Sequence, residues 1–310
     1  MSGFRFLTCV ALCCTQMLQT QPLDQKIITN RTHKIDVDTD MSVKTENHKA
    51  HATEEEYTFG DHVHVVNDAF FIPQLDKYRK VWIYLPKSYK DSKKAYPVIY
   101  MHDGQNLFHA QPPRADEWAV DSVVDSLIKT GAEEMIIVGI NHGGKDRLRE
   151  YNPYNSQYGK GEGKAYALFI AETLKPFIDL HYRTKSDLKN TAIAGSSMGG
   201  LISLYTISAY PEVFGSAGVF SPALWLAPKI YEELAKNLTG LKDKKIFVVA
   251  GDKEGTAMVR DAKKVYDILN ADGKNRNVAF IEREDGKHTE WFWHREFESF
   301  YKFIEINRGP

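Results

Sequence analysis

From residue 57 onward the chain alternates between two hydrophobic rhythms. Positions 62–71 and 79–85 alternate apolar with polar residues, the period of two expected of half-buried strands. Shorter, uninterrupted apolar runs follow at 97–101, 135–140, 191–194, 216–220, 245–250 and 278–281. Such runs suit strands covered on both faces. Between them apolar residues recur at helical spacing. Val120, Val123, Val124, Leu127 and Ile128 form one stripe, and Val259, Ala262, Val265, Tyr266 and Leu269 another. Residues 201–205 and 289–306 also read as helical. Strands alternating with helices predict an α/β fold, a mostly parallel central sheet with helices on both faces and right-handed crossovers. The short connection between the first two strands predicts an antiparallel opening pair. In such sheets functional residues gather in loops at the carboxyl ends of the strands.

The first 56 residues follow neither rhythm. In residues 1–20 Arg5 is the only charge, and an apolar run from Phe6 to Cys14 follows it. That is the layout of a secretory signal and too short to cross a membrane. Cys13 or Cys14 offers a lipid-attachment site as an alternative, although Ala11 and Leu12 before them fit that signal poorly. Residues 21–56 lack aromatic residues and glycine and mix both charges with Thr, Asn and His. So little apolar surface cannot offset the entropy of ordering, which predicts a flexible linker ahead of a catalytic domain at 57–310. His33, His48 and His51 are too scattered for a metal site. All three cysteines, Cys9, Cys13 and Cys14, fall in the first segment. The rest of the chain therefore has no internal disulfide, thiolate metal site or cysteine nucleophile. A formal net charge of -1, without a basic stripe, points away from nucleic acid and anionic membranes. No apolar run is long enough for a transmembrane segment. The signal-like start predicts a protein outside the cytoplasm, secreted or periplasmic.

The chemistry concentrates where the strand at 191–194 runs into Gly195-Ser196-Ser197-Met198-Gly199-Gly200 and then a helix. This is G-x-S-x-G in strand–turn–helix context. A sharp turn lifts Ser197 above the sheet edge, small neighbours make room for it, and the helix N-terminus aims its amides at the same spot. The Met198 N–H is then placed to donate to an oxyanion. Ser196, off the centre of the pattern, is expected to point into the turn. A serine hydroxyl needs a base oriented by an acid, in the chain order Ser, Asp/Glu, His. After Ser197 come only two histidines. His288 lies in a glycine-bearing loop after the last strand; His294 lies in an aromatic-rich helix, where packing is the default. The loop Gly251-Asp252-Lys253-Glu254-Gly255 offers two acids, Asp252 and Glu254, between which spacing does not choose. The second oxyanion donor is expected after the 97–101 strand, where Gly104 lets the backbone approach a ligand and makes the Gln105 N–H the candidate. His102 and Asp103 resemble a metal pair, but adjacent strand residues point to opposite faces. No metal or organic cofactor is implied. Trp118, Trp225 and Arg147 stand in loops placed to line a substrate pocket.

Together these motifs resemble the esterase family of α/β-hydrolases that includes feruloyl and acetyl xylan esterases, enterochelin-esterase-like proteins and S-formylglutathione hydrolases. The resemblance spans roughly residues 81–306. It rests on residues 100–108 (Tyr-Met-His-Asp-Gly-Gln-Asn-Leu-Phe), the elbow at 195–200, Phe220-Ser221-Pro222, the Gly251-x-x-Glu254 loop and Gly286-Lys287-His288. It implies an α/β-hydrolase fold and cofactor-free hydrolysis of an ester through an acyl-enzyme. Glu254 rather than Asp252 matches the family's acid, and Gln105 and Met198 match its oxyanion donors. The glutathione-linked members carry a cysteine beside the oxyanion loop that this chain lacks, which points away from that substrate. Small-molecule or carbohydrate-linked esters, with hydroxycinnamate or siderophore groups, are the substrates implied. Acyl transfer with the same triad, or binding on an inert hydrolase scaffold, are the alternatives.

Overall fold

The computed structural model describes residues 58–111, 114–271 and 277–305. The expected export signal, the linker and all three cysteines lie outside the described residues. A two-residue strand, β1 (Thr58–Phe59), precedes the antiparallel pair β2 (Val63–Ile72) and β3 (Lys77–Tyr84). Next come β4 (Val98–His102), the short β5 (Ala110–Gln111), α1 (Val120–Lys129) and β6 (Ile136–Ile140). After the one-turn α2 (Arg147–Glu150), α3 (Gly163–Phe169) passes through a π-turn at Ile170–Leu174 into α4 (Lys175–His181). The second half runs β7 (Thr191–Ser196), α5 (Met198–Ala209), β8 (Ser216–Phe220), α6 (Ile230–Lys236) and α7 (Leu238–Leu241). It ends with β9 (Lys245–Gly251), α8 (Thr256–Leu269), β10 (Val278–Arg283) and α9 (Glu290–Glu305).

Eight strands form one sheet in the order β10-β9-β8-β7-β4-β6-β3-β2. It is parallel from β10 through β6 and antiparallel at β3 and β2. The expected fold class is thus observed, antiparallel opening pair included. β1 stands apart, paired with β5. Every residue of β4, β6, β7 and β8 is buried, which is why their sequences read as unbroken apolar runs rather than alternating ones. On one face α1 and α9 cover a layer that includes Val124, Trp118, Phe220, Phe292, Phe297 and Phe300. On the other, α3, α4, α5, α6 and α8 close over Val138, Ile193, Leu201, Val219 and Val248. α5 is buried on nearly all sides, a rigid rod behind the end of β7.

Candidate active site

Ser197 lies between β7 and α5 with φ 56° and ψ -117°. A non-glycine residue holds that conformation at a cost of about 1–3 kcal/mol, and only when its surroundings over-determine it. Here they do. The Ser197 N–H donates to the Phe220 carbonyl at 2.9 Å, and its own carbonyl accepts from Leu201 at 3.1 Å and Ala223 at 3.0 Å. The turn also presses against the end of β4: a Cβ added to Gly199 would stand 3.2 Å from His102 Cβ and 3.3 Å from Asp103 Oδ2. Ser196, the last residue of β7, is buried and also borders the cavity described below.

Glu254 and His288 come together on the loops after β9 and β10. His288 Nδ1 donates to Glu254 Oε1 at 2.7 Å, which leaves Nε2 as the other functional nitrogen of that ring. The Glu254 side chain is 1% exposed and its other oxygen is fully engaged: Oε2 accepts from the Gly251 N–H at 2.7 Å and the Ser221 hydroxyl at 2.9 Å. Ser221 Oγ in turn accepts from Trp293 Nε1 at 2.9 Å, and the Trp293 ring meets His288 edge-on at 5.0 Å. Asp252 is exposed and lies beside Glu282 of β10 instead, a neighbouring carboxylate that raises the Glu282 pKa. What sets the spacing of acid and imidazole is a contact between two glycines. A Cβ on Gly251 would fall 2.3 Å from Gly286 backbone atoms, and one on Gly286 would fall 2.6 Å from Gly251 Cα. No side chain fits at either place.

Gln105 belongs to a one-turn 3₁₀ helix, Gly104–Asn106, directly after β4. Its N–H and that of Met198 both belong to the first turn of a helix, where no acceptor exists within the helix itself. Since β4 and β7 are neighbours, the two turns are adjacent. The Gln105 turn is pinned from outside: Arg114 donates to its carbonyl at 2.9 Å, the His142 N–H to its Oε1 at 3.2 Å, and the Trp118 N–H to the Asn106 carbonyl at 2.7 Å. Ser197, Gln105, His288, Trp118, Trp293, Asn106, His142, Arg147 and Glu290 border one cavity of about 270 Å³. The hydroxyl at the elbow and the imidazole of the last loop therefore open onto the same space.

Of the three residues expected to line a pocket, Trp118 and Arg147 border this cavity. Trp118 is buried against Trp293, ring centres 5.7 Å apart. Trp225 is 53% exposed and not among the lining residues. His294 is a packed histidine, its Nδ1 bonded to the Trp118 carbonyl at 2.6 Å. Arg147 grips Asp103 with two bonds, Nε to Oδ1 at 2.6 Å and Nη2 to Oδ2 at 2.8 Å. Burial disfavours the guanidinium charge, but this bond outweighs it and raises the Arg147 pKa. Contrary to the expected strand alternation of His102 and Asp103, β4 ends at His102 and Asp103 turns away with φ 57°. The two are separated by their partners instead: Asp103 faces Arg147, and His102 Nδ1 meets the Tyr166 hydroxyl at 3.1 Å. Among the described residues no group of three or more His, Asp and Glu side chains is arranged to hold a metal ion. The partners Ser221 and Trp293 behind Glu254 carry no signal of that role in the sequence. Ser221 stands in Phe220-Ser221-Pro222, which nothing in the sequence ties to Glu254.

Burial lowers the His102 pKa from 6.5 to about 3, with Arg147 adding to the shift and Asp103 opposing it. The folded protein therefore resists a proton that the unfolded chain accepts below pH 6.5, and stability is lost as pH falls through that window. Between pH 6.5 and 5 this one group is expected to remove about 2 kcal/mol. Urea titrations at both pH values check it. His102→Gln should narrow the pH difference by that amount, and parallel behaviour of the two proteins would refute it.

The Putative esterase family model matches residues 72–299, so the chain belongs to that family and is a carboxylic ester hydrolase. The Bacillus subtilis protein YbbA is 26% identical over 227 residues, covering 67% of this chain and 84% of its own. An endo-1,4-beta-xylanase/feruloyl esterase of Xylanibacter ruminicola is 28% identical over 202 residues, covering 63% of this chain but only 25% of that longer protein. Among solved structures a ferulic acid esterase superposes with a TM-score of 0.62 at 25% identity, covering 79% of this chain and 98% of its own.

Proposed function

We propose that the protein is a serine esterase working through an acyl-enzyme. Ser197 attacks the acyl carbon, and His288 Nε2 takes its proton and later returns it to the departing alcohol. Glu254 fixes the imidazole tautomer and stabilises the imidazolium that forms, as an oriented carboxylate does in such triads. The amides of Gln105 and Met198 receive the oxyanion. The observation that carries this reading is the strained Ser197 opening onto the same cavity as an imidazole already held by a buried carboxylate. Glu254 bonds to His288 while Asp252 faces Glu282, which supports the former as the acid.

Relatives and neighbours named for feruloyl and for siderophore esters support a small-molecule or carbohydrate-linked ester as the substrate class, and Trp118 and Trp293 give the cavity an aromatic wall on the His288 side. The apolar run behind Arg5 supports an exported enzyme, and the absence of cysteine after Cys14 is compatible with it. The direct test is a fluorophosphonate probe on the full chain followed by peptide mapping. Labelling at Ser197 is expected; a protein that turns over esters while Ser197 stays unlabelled would overturn the assignment.

A further inference from the structure

His142 is the second imidazole in the cavity, and the reaction described above leaves it without a task. It follows β6, and in the sheet order β6 lies on the far side of β7 from β10. Ser197, at the end of β7, is thus flanked by His288 on one side and His142 on the other. In ester cleavage the leaving oxygen must stand beside the imidazole that protonates it. That places the alcohol toward His288 and the acyl chain toward His142 and Arg147.

The state of the His142 ring is set by its neighbours. Nδ1 accepts the Gly144 N–H at 2.8 Å, which assigns the ring proton to Nε2. Burial lowers its pKa, Arg147 and Arg79 add to the shift and Asp103 opposes it, so the ring is a neutral donor near pH 7. Beside it, Asp103 occupies Nε and Nη2 of Arg147, leaving Nη1 for any further donation. Because the ion pair cancels its own charge and His142 is neutral, this wall offers hydrogen-bond donors without a net positive field. A carboxylate has little to gain there, whereas an uncharged acceptor oxygen does.

We infer that His142, with Arg147 beside it, is a specificity-determining donor for an acyl chain carrying an uncharged oxygen near the ester carbonyl, such as an ether or hydroxyl. This inference rests on the serine-esterase reading. A site built to donate to such an oxygen discriminates against the analogue lacking it, since its own donors are left unpaired.

The experiment compares p-nitrophenyl esters that differ by one atom: methoxyacetyl against butanoyl, and 3-methoxypropanoyl against pentanoyl. The kcat/KM ratio within each pair is read for the wild type, His142→Phe and His142→Gln. Because intrinsic reactivity enters all three proteins equally, the change in ratio isolates the contact. His142→Phe should lower the ratio about five- to tenfold in at least one pair, and His142→Gln, which keeps an N–H donor, should recover most of it. Ratios within twofold of wild type in His142→Phe for both pairs, or a hemisuccinyl ester preferred over all four, would overturn the inference. Fluorophosphonate labelling shows that each variant is folded and armed. A wild type that neither labels nor hydrolyses any of these esters would bring down the esterase reading and this inference with it. Active, labelled protein with unchanged ratios would sink the inference alone.

Discussion

Ser197→Ala is expected to lower kcat for a short p-nitrophenyl ester by about 10⁴- to 10⁶-fold, with the residue of activity supplied by the oxyanion donors and binding alone. Alanine inherits the strained backbone of the elbow, φ 56°, so its stability should stay close to the wild type. Ser197→Gly should be equally inactive yet more stable, by about 1–2 kcal/mol, because glycine adopts positive φ without a Cβ penalty. Steady-state kinetics and urea denaturation on the three proteins separate the two effects. Substantial turnover by the alanine protein would remove Ser197 from the chemistry. A glycine protein no more stable than the alanine one would show that the elbow carries no strain.

The second large effect distinguishes two acids two residues apart. Glu254→Gln keeps the shape of a side chain that is 1% exposed but removes the charge facing His288 Nδ1. The imidazole then loses both its tautomer preference and the partner of its charged form, and kcat/KM should fall about 10³- to 10⁴-fold. Asp252→Asn, an exposed change beside Glu282, should stay within about twofold. The reverse ranking would move the acid to Asp252 and require the loop after β9 to rearrange during turnover.

Much of this fold could be read from residue patterns because its strands are of two kinds. β4, β6, β7 and β8 are buried on both faces, and nothing but an unbroken apolar run satisfies that setting. β2 and β3, antiparallel toward the sheet edge, keep a partial alternation that betrays them equally. The stretch from Gly163 to His181 was not legible as helix. Its apolar residues Tyr166, Phe169, Ile170, Leu174 and Ile178 are spread across the π-turn, which shifts the 3.6-residue phase partway along. The elbow was visible because its demands are local, a strand, small residues and a helix in direct succession. The choice between Asp252 and Glu254 was not, since it depends on which one meets a residue more than thirty positions later. Ser221 and Trp293, 72 residues apart, are hidden for the same reason: their bond exists only once β8 and α9 are packed on the same layer.

The glycine-to-glycine contact between the loops after β9 and β10 has a consequence for when this protein first becomes an enzyme. During synthesis Ser197 is translated 91 residues before His288, and every strand of the sheet but β10 precedes residue 270. The imidazole arrives only with β10, the outermost strand, and is seated when that strand zips onto β9 and Gly286 slides against Gly251. A nascent chain short of that step has Ser197 but lacks the His288 imidazole that the proposed triad requires. On the proposed mechanism, hydrolysis therefore requires β10, the outermost strand, to be docked on β9.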